Sequence, residues 1–117
     1  MPEPVTALLD CYGMHSKVSR EAIGSRLRVT REALGFGMTA FAAKCGLSRT
    51  RYQNFEAGRN LMKPEQAARL LEAFSEEGLD FNWLYSGDMN GLSPRLARAI
   101  YVRAERLAQS NAGVVNE

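Results

Sequence analysis

Apolar positions along this 117-residue chain recur at helical spacing, and no alternating run is long enough to argue for a strand. Ile23, Leu27, Thr30 and Leu34, with Ala22 beside them, form one stripe of a first core helix. Ser19 is suited to cap its start and Gly35 its end. A short second helix is predicted from Met38 to Cys45, broken by Gly46. Ser48 then caps a third, Arg49–Glu56, which Gly58 ends. Pro64 suits the first turn of a fourth, where Ala67, Leu70, Leu71 and Phe74 share a face. Asp80 caps a short fifth helix over Phe81–Tyr85, closed by Ser86-Gly87. Ser93-Pro94 opens a sixth with Leu96, Ile100, Ala104 and Leu107 on its stripe. In residues 1–18, Val5, Leu8, Leu9 and Tyr12 could form a helix kept short by Gly13, while Ser110 to Glu117 reads as a frayed tail. The predicted fold class is all-α.

Composition narrows the partners. Hydrophobic residues make up 45% and charged residues 24%, an ordinary globular balance, and the length suffices to bury about 65% of the unfolded surface. Apolar stretches such as Ala40–Ala43 fall far short of the roughly 18 residues a membrane span needs. Met1-Pro2-Glu3-Pro4 lacks the basic, then apolar, character of a signal peptide. Cys11 and Cys45 form no CxxC pair and no metal cluster is present, so the expected compartment is reducing and cytoplasmic. The net charge of +2 conceals an asymmetry. Residues 21–60 hold seven basic residues (Arg26, Arg28, Arg31, Lys44, Arg49, Arg51, Arg59) against three glutamates, a net +4. Residues 61–91 carry a net −4, with Lys63 and Arg69 against six acidic residues. Such a division points towards a nucleic-acid partner.

The Met38–Ala57 segment meets the physical requirements of a helix-turn-helix. Phe41, Cys45, Leu47, Tyr52 and Phe55 can seal the space beneath two short helices. Ala42 is small where their axes would approach, and Gly46 can supply a positive φ at the turn. The third helix then keeps Arg49, Thr50, Arg51, Gln53 and Asn54 outside that seal. Arg49 and Arg51 occupy its first turn, where the helix dipole disfavours a cation by about 0.3–1 kcal/mol. A phosphate or guanine edge at that end reverses the sign. Arginine matches guanine O6 and N7, and Asn54 is suited to adenine.

Five ordered blocks carry a family resemblance. They are Ile23-Gly24-Ser25-Arg26-Leu27-Arg28; Arg31 and Gly35; Phe41-Ala42-Ala43-Lys44-Cys45-Gly46-Leu47-Ser48-Arg49; Phe55-Glu56-Ala57-Gly58-Arg59-Asn60; and Asp80-Phe81-Asn82-Trp83-Leu84-Tyr85-Ser86-Gly87. Together they resemble the XRE family of lambda-repressor-like helix-turn-helix domains. The resemblance implies a compact five-helix DNA-binding domain over residues 19–88, with an N-terminal extension (1–18) and an additional C-terminal helix and tail (89–117). It implies a sequence-specific transcriptional regulator that binds double-stranded DNA as a homodimer, in the cytoplasm, nucleoid-associated and of bacterial or phage type. Base contacts carry over onto Ser48, Arg49, Thr50, Arg51 and Asn54, and phosphate contacts onto Met38, Lys44, Gln53, Arg59, Asn60 and Lys63. A structural ion pair is implied between Arg31 and Glu56. Met38 stands where the family commonly has glutamine, and Gly37 where it has a hydroxyl cap, so contact there passes to backbone N–H groups.

Enzyme chemistry finds no foothold. His15 is the single histidine, Cys45 reads as a small buried hydrophobe, and Cys11 near His15 has no third group or oxyanion donor. Gly35-Phe36-Gly37 lacks phosphate-loop and dinucleotide spacing, and no cofactor is implied. The competing reading is an antitoxin or adaptor built on the same domain, taking a protein partner through residues 1–18 or the last helix. That helix carries Arg95, Arg98, Arg103 and Arg106, and either packs on its own domain or buries Leu96, Ile100, Tyr101 and Leu107 in a dimer.

Overall fold

Ser19 Oγ accepts the backbone N–H of Ala22 at 3.1 Å, and helix α1 (Arg20–Leu34) begins on that cap. The computed structural model describes the backbone of residues 19–116 and the side chains of residues 19–106. The expected helix around Leu8 and the Cys11–His15 pair lie outside the described residues, as does the side chain of Leu107. Helix α1 ends at Gly35, whose φ of +81° lets its N–H and that of Phe36 return to the carbonyls of Glu32 and Arg31.

Helix α2 (Met38–Lys44) stops one residue earlier than expected, with Cys45 as its C-cap. Gly46, at φ +72°, makes the sharp turn. Helix α3 (Arg49–Glu56) starts where Ser48 Oγ accepts the Arg51 N–H at 3.2 Å. Helix α4 (Pro64–Ala73) has proline in its first turn and the Gln66 side chain accepting the Lys63 N–H at 3.0 Å. A 3₁₀ turn over Ser75–Glu77 follows. The expected fifth helix is instead a single wide π-type turn, Asn82–Ser86, with the Asp80 carboxylate accepting the Trp83 N–H at 2.9 Å. Helix α5 (Pro94–Asn116) continues through the segment expected to fray. No strand occurs among the described residues.

The core gathers Ile23, Leu27, Phe41, Tyr52, Leu70, Trp83, Leu84 and Ile100, all essentially inaccessible. Leu34 and Phe74, expected on the apolar stripes, are half-buried at the last residue and the C-cap of their helices and pack against the edge of the core. Thr30 belongs to the stripe through chemistry as well as spacing. Its hydroxyl donates to the Arg26 carbonyl at 2.6 Å and accepts the Trp83 indole N–H at 2.9 Å. Arg26, counted above with the surface charge, is completely buried and donates to the Leu84 carbonyl at 2.8 Å. Burial lowers its pKa to about 10, which still leaves it charged near neutrality.

Helix α5 packs along α1. Leu96, Ile100 and Ala104 are buried in the chain's own core, so at Leu96 and Ile100 the helix takes the first of its two expected roles, packing on its own domain. Arg103 reinforces the packing through Glu32 at 3.0 Å, while Arg28 reaches the other Glu32 oxygen at 3.2 Å. Burial would raise the Glu32 pKa, but those hydrogen bonds outweigh it and hold the carboxyl below its ordinary range.

Candidate nucleic-acid interface

The rotation of α3 decides which of its side chains are available. Tyr52 and Phe55 are buried against α2 and α1, which turns Arg49, Thr50, Arg51 and Gln53 outward. The four form a polar face along this two-turn helix. Ser48 is exposed beside them, with its oxygen engaged in the cap. Asn54, expected to be suited to adenine, also serves the structure. It is half-buried, its side-chain oxygen accepts from Arg59 at 3.1 Å, and its carbonyl accepts the Arg59 N–H at 3.0 Å. Asn54 therefore orders the loop that presents Arg59, Asn60 and Lys63, all exposed. Lys44 is exposed at the end of α2, and Met38 is half-buried at its start.

An ion pair fixes the far end of α3. Arg31 donates through Nε to Glu56 at 2.6 Å and through Nη2 to the second carboxylate oxygen at 3.3 Å. Its Nη1 donates to the Phe36 carbonyl at 3.0 Å. The side chains are 13% and 6% exposed, so the pair is sheltered from water and salt. The hydrogen bond from Arg31 to Glu56 raises the arginine pKa further, against a smaller opposing effect of burial. The Tyr52 hydroxyl lies beside the same carboxylate but outside hydrogen-bonding geometry. Burial, then Glu56, keeps it a neutral phenol.

Three features of this surface were not anticipated from the sequence. Gly24 lets α1 approach the end of α3 closely, because a Cβ there would lie 2.6 Å from the carbonyl oxygens of Phe55 and Glu56. Thr39 meets Arg49 at 3.5 Å, linking the first turns of α2 and α3. Arg28, Arg31, Met38, Gln53 and Glu56 line one cleft of about 320 Å³. Arg28 stands three residues before Arg31, so helical spacing from the implied ion pair was the available signal.

A family of helix-turn-helix domains matches residues 22–79, covering α1 through the 3₁₀ turn. Helix α2, the Gly46 turn and α3 have the geometry of a helix-turn-helix. A Pyrococcus horikoshii protein named as an HTH-type transcriptional regulatory protein is 31% identical over 74 residues, which cover 63% of this chain. The chain spans 22% of that relative's length. No solved structure matches. Helices α2 and α3 and the Gly46 turn all lie within the matched residues. Burial first and Glu56 second push the Cys45 thiol up to about 12, so it stays protonated near neutrality. Among the described residues there is no group of three or more metal-ligating side chains, and no helix is long and apolar enough to cross a membrane.

Proposed function

We propose that this chain is a sequence-specific transcriptional regulator of the lambda-repressor-like XRE type that binds double-stranded DNA with α3 in the major groove. The observation that carries the reading is the outward face of α3. Arg49 and Arg51 lie exposed in a first turn whose dipole opposes them, while the buried Tyr52 and Phe55 fix the helix's rotation. Arg49, Thr50 and Arg51 read base edges, Gln53 and Lys44 meet phosphates, and Asn54 presents Arg59, Asn60 and Lys63 to the backbone.

The protein acts as a cytoplasmic homodimer. Leu61 and Phe81, 52% and 43% exposed, are the large hydrophobics left open among the described residues. Phe81 stacks on Tyr85 at 5.9 Å, and the Tyr85 hydroxyl donates to the Met62 carbonyl at 2.7 Å, so the patch adjoins the phosphate loop. Two copies meeting there would present two α3 helices to successive turns of one DNA face. An antitoxin or adaptor on this domain is the second reading; against its use of α5 stands the burial of Leu96, Ile100 and Ala104 within the chain.

Sedimentation with and without duplex DNA tests the assembly. A dimer that Phe81→Ser converts to monomer, with weakened operator binding, supports the reading. A monomer that binds DNA one to one with unchanged affinity in Phe81→Ser contradicts it.

A further inference from the structure

A cavity of about 370 Å³ opens between the end of α1, the end of α4 and α5. Its body is apolar, formed by Leu34, Phe36, Phe74 and Leu96 with two small alanines, and its volume is at the lower end of small-molecule sites. Its polar element is Glu77 together with Arg95. Arg95 pairs with Glu77 and is largely exposed, while the Glu77 side chain is 16% exposed and also accepts the Ser93 hydroxyl at 2.9 Å. A shielded anion beside an exposed cation, above an aromatic and aliphatic pocket, complements a ligand that carries both charges on a short head and an apolar body, its head groups taking the place of the Glu77–Arg95 contact.

The walls of this cavity lead to the helix-turn-helix. Phe36 and Phe74 meet edge to face at 5.4 Å, and both pack on Phe41 of α2, at 5.8 and 5.5 Å. Phe41 in turn meets Tyr52 of α3 at 5.5 Å. A second link is polar, since the arginine holding the Phe36 carbonyl is the one that clamps Glu56 at the end of α3. A ligand that moves Phe36 therefore acts on both the underside and the end of α3.

We propose that this cavity is an effector site for a free apolar α-amino acid, whose ammonium meets Glu77 and carboxylate meets Arg95, and that its occupancy changes the DNA affinity of α3. The binding half stands alone, and the coupling half rests on the DNA-binding reading above. The two fail separately. L-Phenylalanine and L-leucine titrated into the full chain without DNA, followed by amide chemical shifts, should give saturable changes at Phe36, Phe74 and Glu77. Phenethylamine and 3-phenylpropanoate, each lacking one charge, should bind about tenfold more weakly. Arg95→Ala, at an exposed position, should erase the preference for phenylalanine over phenethylamine. Ala99→Met should fill the cavity and abolish the shifts while keeping the helical circular dichroism. Saturating phenylalanine should change the operator dissociation constant at least about threefold in the parent and not in Ala99→Met. No saturable shifts at millimolar amino acid, or equal binding of the singly charged analogues, overturns the site. Saturable binding with unchanged affinity for a confirmed operator overturns the coupling.

Discussion

Arg31 and Glu56 form a two-point, nearly buried ion pair that ties the last turn of α1 to the last residue of α3. Removing one partner leaves the other charge sheltered without compensation, which costs about 3 kcal/mol at a buried pair. Glu56→Ala should therefore lower the urea midpoint sharply, by an amount close to that figure. Because α3 loses its anchor as well, operator affinity should fall even under conditions where the variant is folded. Unchanged stability would show that the pair contributes nothing net.

Tyr52 makes the opposite prediction. Its hydroxyl is buried without a partner, and an unmet buried donor is costly. Tyr52→Phe should be neutral or stabilising by up to about 1 kcal/mol in the same denaturation experiment. A loss of that size would instead reveal a hydrogen bond to Glu56.

Gly24 tests how tightly α1 and α3 are pressed together. A methyl group placed 2.6 Å from two backbone carbonyl oxygens has no flexible neighbour to displace. Gly24→Ala should destabilise by about 1–3 kcal/mol despite its better helix propensity. The accompanying amide shift changes should concentrate in Phe55 and Glu56. A stabilised variant would contradict the geometry.

Glu32 sets an acid limit on the docking of α5. Its folded pKa lies below the ordinary glutamate value of about 4.3, so the unfolded chain binds more protons across that interval. Its contribution to stability is complete above the ordinary value and is lost as pH falls through the folded one. Melting temperature should drop as pH falls below the ordinary carboxylate range, and the drop should be smaller in Glu32→Gln. An identical drop in both would assign the acid sensitivity elsewhere.

The parts of this fold legible in the sequence are those fixed within a few residues. Ser19, Gly35, Gly46 and Ser48 mark helix ends through local backbone chemistry, and each performs the expected role. The outward set on α3 was legible for the same reason, because Tyr52 and Phe55 can satisfy only one helical face. What escaped was set by partners distant in the chain. Arg26 looks like any surface arginine until the Leu84 carbonyl, 58 residues away, accepts from it inside the core. The contacts of Asn54 with Arg59 form only when the loop after α3 folds back onto the helix. The Asp80 cap was legible, but not the wide turn it starts, in which Trp83 is held by Thr30 from α1.

If the exposed face of α3 reads duplex sequence, selection from a randomised duplex library by the purified full chain should yield an enriched motif with dyad symmetry whose binding weakens steeply with salt. Arg49→Ala should lose about 1–3 kcal/mol on that motif and relax its base preference, while Lys63→Ala should weaken all sequences alike. A library that emerges unenriched, or a motif that Arg49→Ala selects unchanged, would contradict that reading of α3.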